Sequence, residues 1–164
     1  MFRAMRRGKQ LLSKHLTEAV MARCSNGVLA CLGDNDYPYA VPLNYVYHDN
    51  TIYFHSAKAG HKIDAVLKDP RVSFAMVDED TIVSEEYTSY FRSVIAFGRA
   101  RIVEGQEWFT AFEALVEKYS ADQPAETKRR EIEGCRSSLI IAIDVEHLTG
   151  KEAKEYVDKK NIAP

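Results

Sequence analysis

Little in this chain supports a covalent or metal scaffold. The three cysteines, Cys24, Cys31 and Cys135, are odd in number and form no C-x-x-C pair, so no disulfide framework is expected and a cytoplasmic address fits. The five histidines include no H-E-x-x-H and none paired with cysteine at zinc spacing. Cys31, His55 and His61 are the residues that could gather a metal, and no metal site is expected of them. No apolar run approaches the ~18 residues of a membrane-spanning helix, so no membrane partner is expected. A net charge of −2 and a pI near 6.2 argue against nonspecific nucleic-acid binding, which runs on phosphate neutralisation. There is no internal repeat, low-complexity tract, interdomain linker or G-x-G-x-x-G turn. No acidic residue precedes Glu18, yet the basic opening is followed by no apolar segment or small-residue cleavage site, so it reads as an arm and not as a targeting peptide.

What is present suits one domain spanning 1–164, with a basic arm over 1–10 and a polar tail over 148–164. Leu11, Leu12, Leu16, Ala19, Val20 and Arg23 fall near helical spacing, predicting a helix over 11–23 that ends at Ser25, Asn26 and Gly27. Residues 28–32 read as a buried strand closed by a Gly33-Asp34-Asn35-Asp36 turn. A strand is expected over 71–77, an acidic exposed connection over 78–86, and a long strand over 89–103 in which Gly98 marks a bulge or bend. Phe109, Phe112, Leu115, Val116 and Tyr119 give an amphipathic helix after Gly105, and residues 124–134 a second, highly charged one. Residues 138–145, SLIIAIDV, form the last strand, and a short helix is expected in the tail. About six strands with intervening helices fit either a small closed barrel or an open antiparallel sheet with helices on one face, and patterning does not choose between them.

Residues 39–67 carry the most chemistry. Tyr39, Val41, Leu43, Tyr45 and Tyr47 alternate with smaller or polar residues, a strand period. His48, Asp49 and Asn50 make a turn, and residues 51–56 resume the extended pattern. Residues 57–60 are small enough to let a ligand reach the backbone. A helix then opens on His61-Lys62 and stops at Asp69-Pro70. A helix N-terminus beside Ser56, His61 and Lys62 is a candidate anion site, with Ala57 and Lys58 offering backbone N–H groups. A lysine there opposes the helix dipole, which itself points to an anion. Pro42 within a strand belongs at an edge, a bulge or a ligand contact, since it donates nothing to a ladder.

The strand VPLNYVY (41–47), the strand YFHSA (53–57), the Gly60-x-Lys62 helix start and the downstream YFRSVIAFGRARIV (90–103) stand in the order and spacing of one family. The chain resembles the pyridoxamine 5'-phosphate oxidase-like FMN-binding split-barrel superfamily, in the branch related to nitroimidazole-resistance proteins. The resemblance implies an α+β fold, mainly β, with a six-stranded antiparallel split barrel and flanking helices. It implies a homodimer with FMN at the interface. Pro42, Leu43 and Asn44 would lie along the flavin ring, and Ser56, Ala57, Lys58, His61 and Lys62 would hold the phosphate. Ser93, from the partner subunit, would contact the flavin in place of the amide side chain that larger oxidases carry, whereas Arg92 is better read as pairing with the acidic 78–86 segment. His55, in the HSA motif and opposite Phe54 by alternation, would face the ligand and could donate a proton in catalysis.

Two departures narrow the activity. His61 stands where larger oxidases carry Arg, and no Arg-x-His substrate clamp follows Arg136, so vitamin B6 oxidation is not expected. The resemblance then implies an NAD(P)H-dependent reductase of small electrophiles such as nitroaromatics. A nonenzymatic flavin-binding or stress protein, and a heme-binding split barrel with His55 or His61 as axial ligand, are the alternatives.

Overall fold

The computed structural model describes residues 1–162, with side chains through Asp158. Among the described residues, five α-helices and seven strands follow one another as α1 (Lys14–Arg23), β1 (Asn26–Leu32), β2 (Pro38–Asn44), β3 (Val46–His48), β4 (Thr51–Ser56), α2 (His61–Lys68), β5 (Arg71–Val83), β6 (Thr88–Val103), α3 (Gly105–Ser120), α4 (Ala125–Gly134), β7 (Leu139–Glu152) and α5 (Lys154–Ile162). The strands make one antiparallel sheet in the order β2-β1-β5-β6-β7-β4-β3.

That order fixes the sheet's shape. β2 and β3 are its two edges, yet only Tyr45 separates them in sequence. Laid flat, the edges of seven strands would stand ~29 Å apart, whereas one intervening residue spans ~7 Å. The sheet must therefore roll until its edges meet at Tyr45. No ladder joins β2 to β3 among the described residues, so the roll stays open. The expected six-stranded barrel is thus corrected to an open, rolled sheet of seven strands.

The extra strand comes from the single strand expected over 39–47, which is broken at Tyr45. There the ladder is replaced by side chains. The Tyr45 N–H donates to Tyr119 Oη at 2.9 Å, and the Tyr119 hydroxyl reaches the carbonyls of Ser25 and Tyr45, both at 2.6 Å. The fully buried Tyr45 ring sends its own hydroxyl to the Met21 carbonyl at 2.7 Å. Every polar group at the corner is satisfied, so the chain can leave one edge and start the other.

The roll encloses a core of Leu29, Ile52, Phe54, Phe74, Met76, Val94, Ile141 and Ile143, plugged by Val20 and Met21 of α1 and Ile63 and Val66 of α2. A second cluster lies outside it, where Trp108, Ala111, Phe112 and Leu115 of α3 cover Tyr53, Ile140 and Ala142. β7 is therefore buried on both faces over Ile140, Ile141, Ala142 and Ile143, which explains its unbroken apolar run. Each large side chain so buried contributes roughly 1.5–3 kcal/mol.

Several boundaries differ from expectation. α1 starts at Lys14 because Ser13 caps it, accepting from the Leu16 N–H at 3.3 Å, while the Leu12 N–H donates to the Gly150 carbonyl at 3.0 Å. The acidic connection expected over 78–86 is mostly strand: β5 runs to Val83, with Thr81, Ile82 and Val83 opposite Tyr90, Ser89 and Thr88. A register shift between Val77 and Glu79 turns Asp78 toward Arg23, whose guanidinium it holds through both oxygens. The bulge expected at Gly98 is present, but the extra residue is Glu146 on the neighbouring strand. A Cβ on Gly98 would sit 2.3 Å from the Asp144 carbonyl oxygen. β7 then continues to Glu152, so the tail expected over 148–164 begins as strand and continues as α5; residues 163–164 lie outside the described residues.

Candidate functional site

β4 delivers its last residues to two different sides. Ile52 and Phe54 belong to the enclosed core and Tyr53 to the α3 cluster. Ser56 follows Phe54 and is buried, whereas His55 follows Tyr53 and lies exposed, its ring 6.4 Å from that of Phe112. His55 carries no hydrogen bond among the described residues. Ser56 thus sits toward α2 and His55 toward α3.

The 57–60 loop ends at Gly60, with φ 132° and ψ 164°, a conformation that only glycine adopts freely. This backbone sets the Gly60 carbonyl to accept from the Ile63 N–H at 2.8 Å and the Asp64 N–H at 3.1 Å. No side chain caps the helix, so the first amides of α2, those of His61 and Lys62, remain open donors at its positive end. Nothing lies within 4 Å of where a Gly60 Cβ would stand, so the approach is clear. Lys62 is half-buried on this first turn and has no ion-pair partner among the described residues. In contrast, Lys68 of the same helix faces Asp36 at 4.0 Å.

His61 is occupied. Its Nε2 accepts from the Asp34 N–H at 3.2 Å, which places the ring proton on Nδ1 in this arrangement, and its ring stacks on Tyr39 at 4.1 Å. A Cβ on Gly33 would come within 2.9 Å of Nε2, so the β1–β2 turn needs glycine to receive the ring. Gly33, Asp34 and Tyr39 were not legible as site residues, because the turn signal that marks them says nothing of a histidine 27 residues on.

Pro42 and Asn44 project from the outer face of edge strand β2, while Leu43 packs inward. The edge position explains how a strand tolerates Pro42. The Asn44 side chain donates to the Ser25 carbonyl at 2.9 Å. Ser93 stands in register with Val77 and Lys151, one alternation from Ile95. The row Pro42, Val28, Ala75, Ile95 runs across four strands, so Pro42, Asn44 and Ser93 share the outer face. Arg92 is paired with Glu79 at 3.0 Å and lies 4.2 Å over the Tyr156 ring, as its acidic neighbourhood predicts. Ser56, Ala57, His61 and Lys62 lie along the loop that leads from β4 into α2, whereas Lys58 of the same loop lines a cavity beside the start of α3. Tyr39, stacked on His61, links β2 to this loop, and Pro42 lies ~10 Å further along that strand.

The cysteines offer no nucleophile there. Burial pushes the Cys24 and Cys31 thiols up, keeping them protonated. Among the described residues no cluster of His, Cys, Asp and Glu could hold a metal ion, and no helix is long and apolar enough to cross a membrane.

The rolled sheet, the helix-capped loop and their order along the chain are matched in known proteins. The profile of the pyridoxamine 5'-phosphate oxidase family fits residues 14–152. The chain belongs to that family. Among solved structures it is similar to a 5-nitroimidazole antibiotic resistance protein of Bacteroides thetaiotaomicron, at 21% identity and a TM-score of 0.73, over 87% of this chain and 86% of that one. It is similar to Rv2991 of Mycobacterium tuberculosis at 21% identity and a TM-score of 0.79, over 98% and 95% of the two chains. An FAD-binding protein of Mesorhizobium loti matches at 25% identity and a TM-score of 0.58, over 88% and 97%.

Proposed function

We propose that this protein binds FMN noncovalently as a homodimer and uses NAD(P)H to reduce small electrophiles, with nitroaromatic compounds the first substrates to test. One observation carries the cofactor reading: the N-terminus of α2 pairs open amides behind Gly60 with Lys62, a half-buried cation without a partner among the described residues. A dianionic phosphate answers both, by hydrogen bonding to the amides and by charge at Lys62. Family membership and the FAD-binding relative support a flavin as the bearer of that phosphate. FMN is favoured over FAD because there is one grip and no Gly-rich pyrophosphate turn.

The dimer reading rests on the outer sheet face. Val77 is 64% exposed, Ile95 44%, and Val28 and Phe97 each 38%, a run of apolar side chains on the face that also carries Pro42 and Ser93. Such a patch on a small domain marks an interaction surface, and a second copy would bring Ser93 against the partner's flavin.

Bound flavin would supply the two-electron transfer between NAD(P)H and the acceptor. Lys62 and the α2 amides would hold its phosphate, the 57–60 loop would admit it to the backbone, and His55, exposed and free of hydrogen bonds, would donate a proton to the reduced acceptor. His55→Gln is expected to lower turnover by roughly 100-fold while leaving flavin affinity unchanged.

The visible spectrum of the purified protein tests the cofactor, and anaerobic mixing with NADH or NADPH tests the reaction. Oxidised-flavin bands that bleach with either nucleotide uphold the proposal. Bands that persist with both leave a nonenzymatic flavin-binding protein, and a colourless protein that takes up no FMN overturns the cofactor assignment.

A further inference from the structure

A cavity of about 330 Å³ opens where the loop after β4 meets the start of α3 and the α4–β7 connection. Its wall is aromatic and held in place. Trp108 donates its indole N–H to the Ser138 carbonyl at 3.1 Å, and Phe109 packs edge-on to it with centroids 5.1 Å apart. Leu139 continues the apolar surface. The Trp108 donor is already satisfied, so what this wall offers a ligand is dry, flat contact.

The rim is cationic. The Arg136 guanidinium lies 4.8 Å over the Phe109 ring and gives one nitrogen to Glu133 at 3.1 Å, which leaves N–H groups of its five unspent. Lys58 lines this cavity and has no ion-pair partner among the described residues. Ser137 lines it as well, with no hydrogen bond among the described residues. Glu104 is the one acid lining the cavity, beside Arg136, which Glu133 partly offsets, and Lys58. The volume lies at the small end for organic ligands, room for one aromatic ring and its substituent.

We propose that this cavity binds a small organic anion with a flat apolar body, of the aromatic monocarboxylate class. The ring lies against Trp108 and Phe109, and the carboxylate meets Arg136 and Lys58 at the mouth. Charge selects the anion, and the aromatic wall selects its shape. The site is separate from the phosphate grip at Lys62 and does not depend on the flavin reading.

Trp108 is the chain's one tryptophan, so its fluorescence reports on the cavity. The protein as purified is titrated with 4-nitrobenzoate and, for comparison, with neutral nitrobenzene; calorimetry with benzoate gives a readout that absorbance cannot distort. Saturable quenching is expected, with 4-nitrobenzoate at least ~10-fold tighter than nitrobenzene. Arg136→Ala and Lys58→Ala should each weaken benzoate about fivefold, the scale of a partly exposed charge pair, and Lys62→Ala should leave it unchanged. Non-saturating quenching, equal affinity for the neutral compound, or indifference to both rim substitutions overturns the proposal. So does loss of benzoate binding in Lys62→Ala, which would place the anion at α2.

Discussion

α2 closes the enclosed core that one face of β4 lines, α3 covers the other face of β4, and the charges on their first turns are met differently. The first turn of α3 carries Glu107, whose carboxylate takes two bonds from Arg101 at 2.7 and 2.8 Å and one from the Tyr53 hydroxyl at 3.0 Å. Arg101 is held in turn by Asp144 at 2.7 Å. The acid lies where the helix dipole favours it, and each of its oxygens is used. The first turn of α2 carries Lys62 with no such network around it, while neither helix has a side-chain cap. The charge on the first turn of α3 is answered within the chain, and that of Lys62 has no ion-pair partner among the described residues. The difference separates stability from binding: substitutions on the α3 side should unfold the protein, and those on the α2 side should empty it.

The largest effect expected is on the α3 side. Phe112 is buried between Trp108, stacked at 4.9 Å, and the face of β4. Phe112→Ala should cost about 3–5 kcal/mol of stability in urea unfolding, through lost transfer energy and the cavity left behind. The flavin affinity of the folded variant should stay within about twofold of wild type. A loss of affinity matching the loss of stability would break the comparison, since the two helices would then be one coupled unit.

Lys62→Ala should do the reverse. FMN affinity should fall by roughly 1.5–3 kcal/mol, the scale of a charged hydrogen-bonded contact. Stability without ligand should move by no more than about 0.5 kcal/mol, because no partner among the described residues loses its charge. Unchanged FMN affinity would remove the phosphate from α2.

A pH series sharpens the contrast. Hydrogen bonds from Arg101 hold the Glu107 carboxyl below its ordinary value near 4.5, and burial opposes them in part. An acid with a depressed folded pKa stabilises the protein above its unfolded value, and that contribution drains away as pH falls through the folded one. Glu107→Gln should therefore cost about 1 kcal/mol near neutrality. The gap between variant and wild type should close as the pH drops below 4.5, in the window where the depressed carboxyl of the native state finally protonates. A gap that stays constant with pH would show that Glu107 acts through shape and not through charge.

Much of this contrast was legible in the sequence, but not its geometry. The 61–68 helix, the Asp49-Asn50 turn and the buried SLIIAIDV run are local signals, and local signals were enough. Asp49 and Asn50 both take positive φ, 46° and 60°, the hairpin turn that residues of their kind allow. Tyr45 was different. Its alternation is that of a continuous strand, and the break depends on a hydroxyl from Tyr119, 74 residues away. The extension of β5 past Val77 was hidden by charge, since Asp78, Glu79 and Asp80 read as a solvated loop until Arg23 and Arg92 are seen beside them. At the site, the composition of the α2 mouth was readable and the division of labour within it was not. His61 and Lys62 are neighbours of similar charge type, and only the fold separates a ring that joins two segments from a cation left free.

That separation gives the smallest and most discriminating effect. His61 accepts the Asp34 backbone N–H, lies 3.8 Å from the Asp34 carboxylate and stacks on Tyr39, all at a partly exposed position. Glutamine keeps an acceptor oxygen but loses the ring, so His61→Gln should cost at most about 1 kcal/mol of stability. Its FMN affinity should match wild type, since Lys62 and the α2 amides are untouched by the substitution. Isothermal titration of FMN into both proteins decides the point. If His61→Gln loses as much affinity as Lys62→Ala, then the ring leaves Asp34 for the phosphate when ligand arrives. The α2 mouth would then be an induced site, with two cations in place of one.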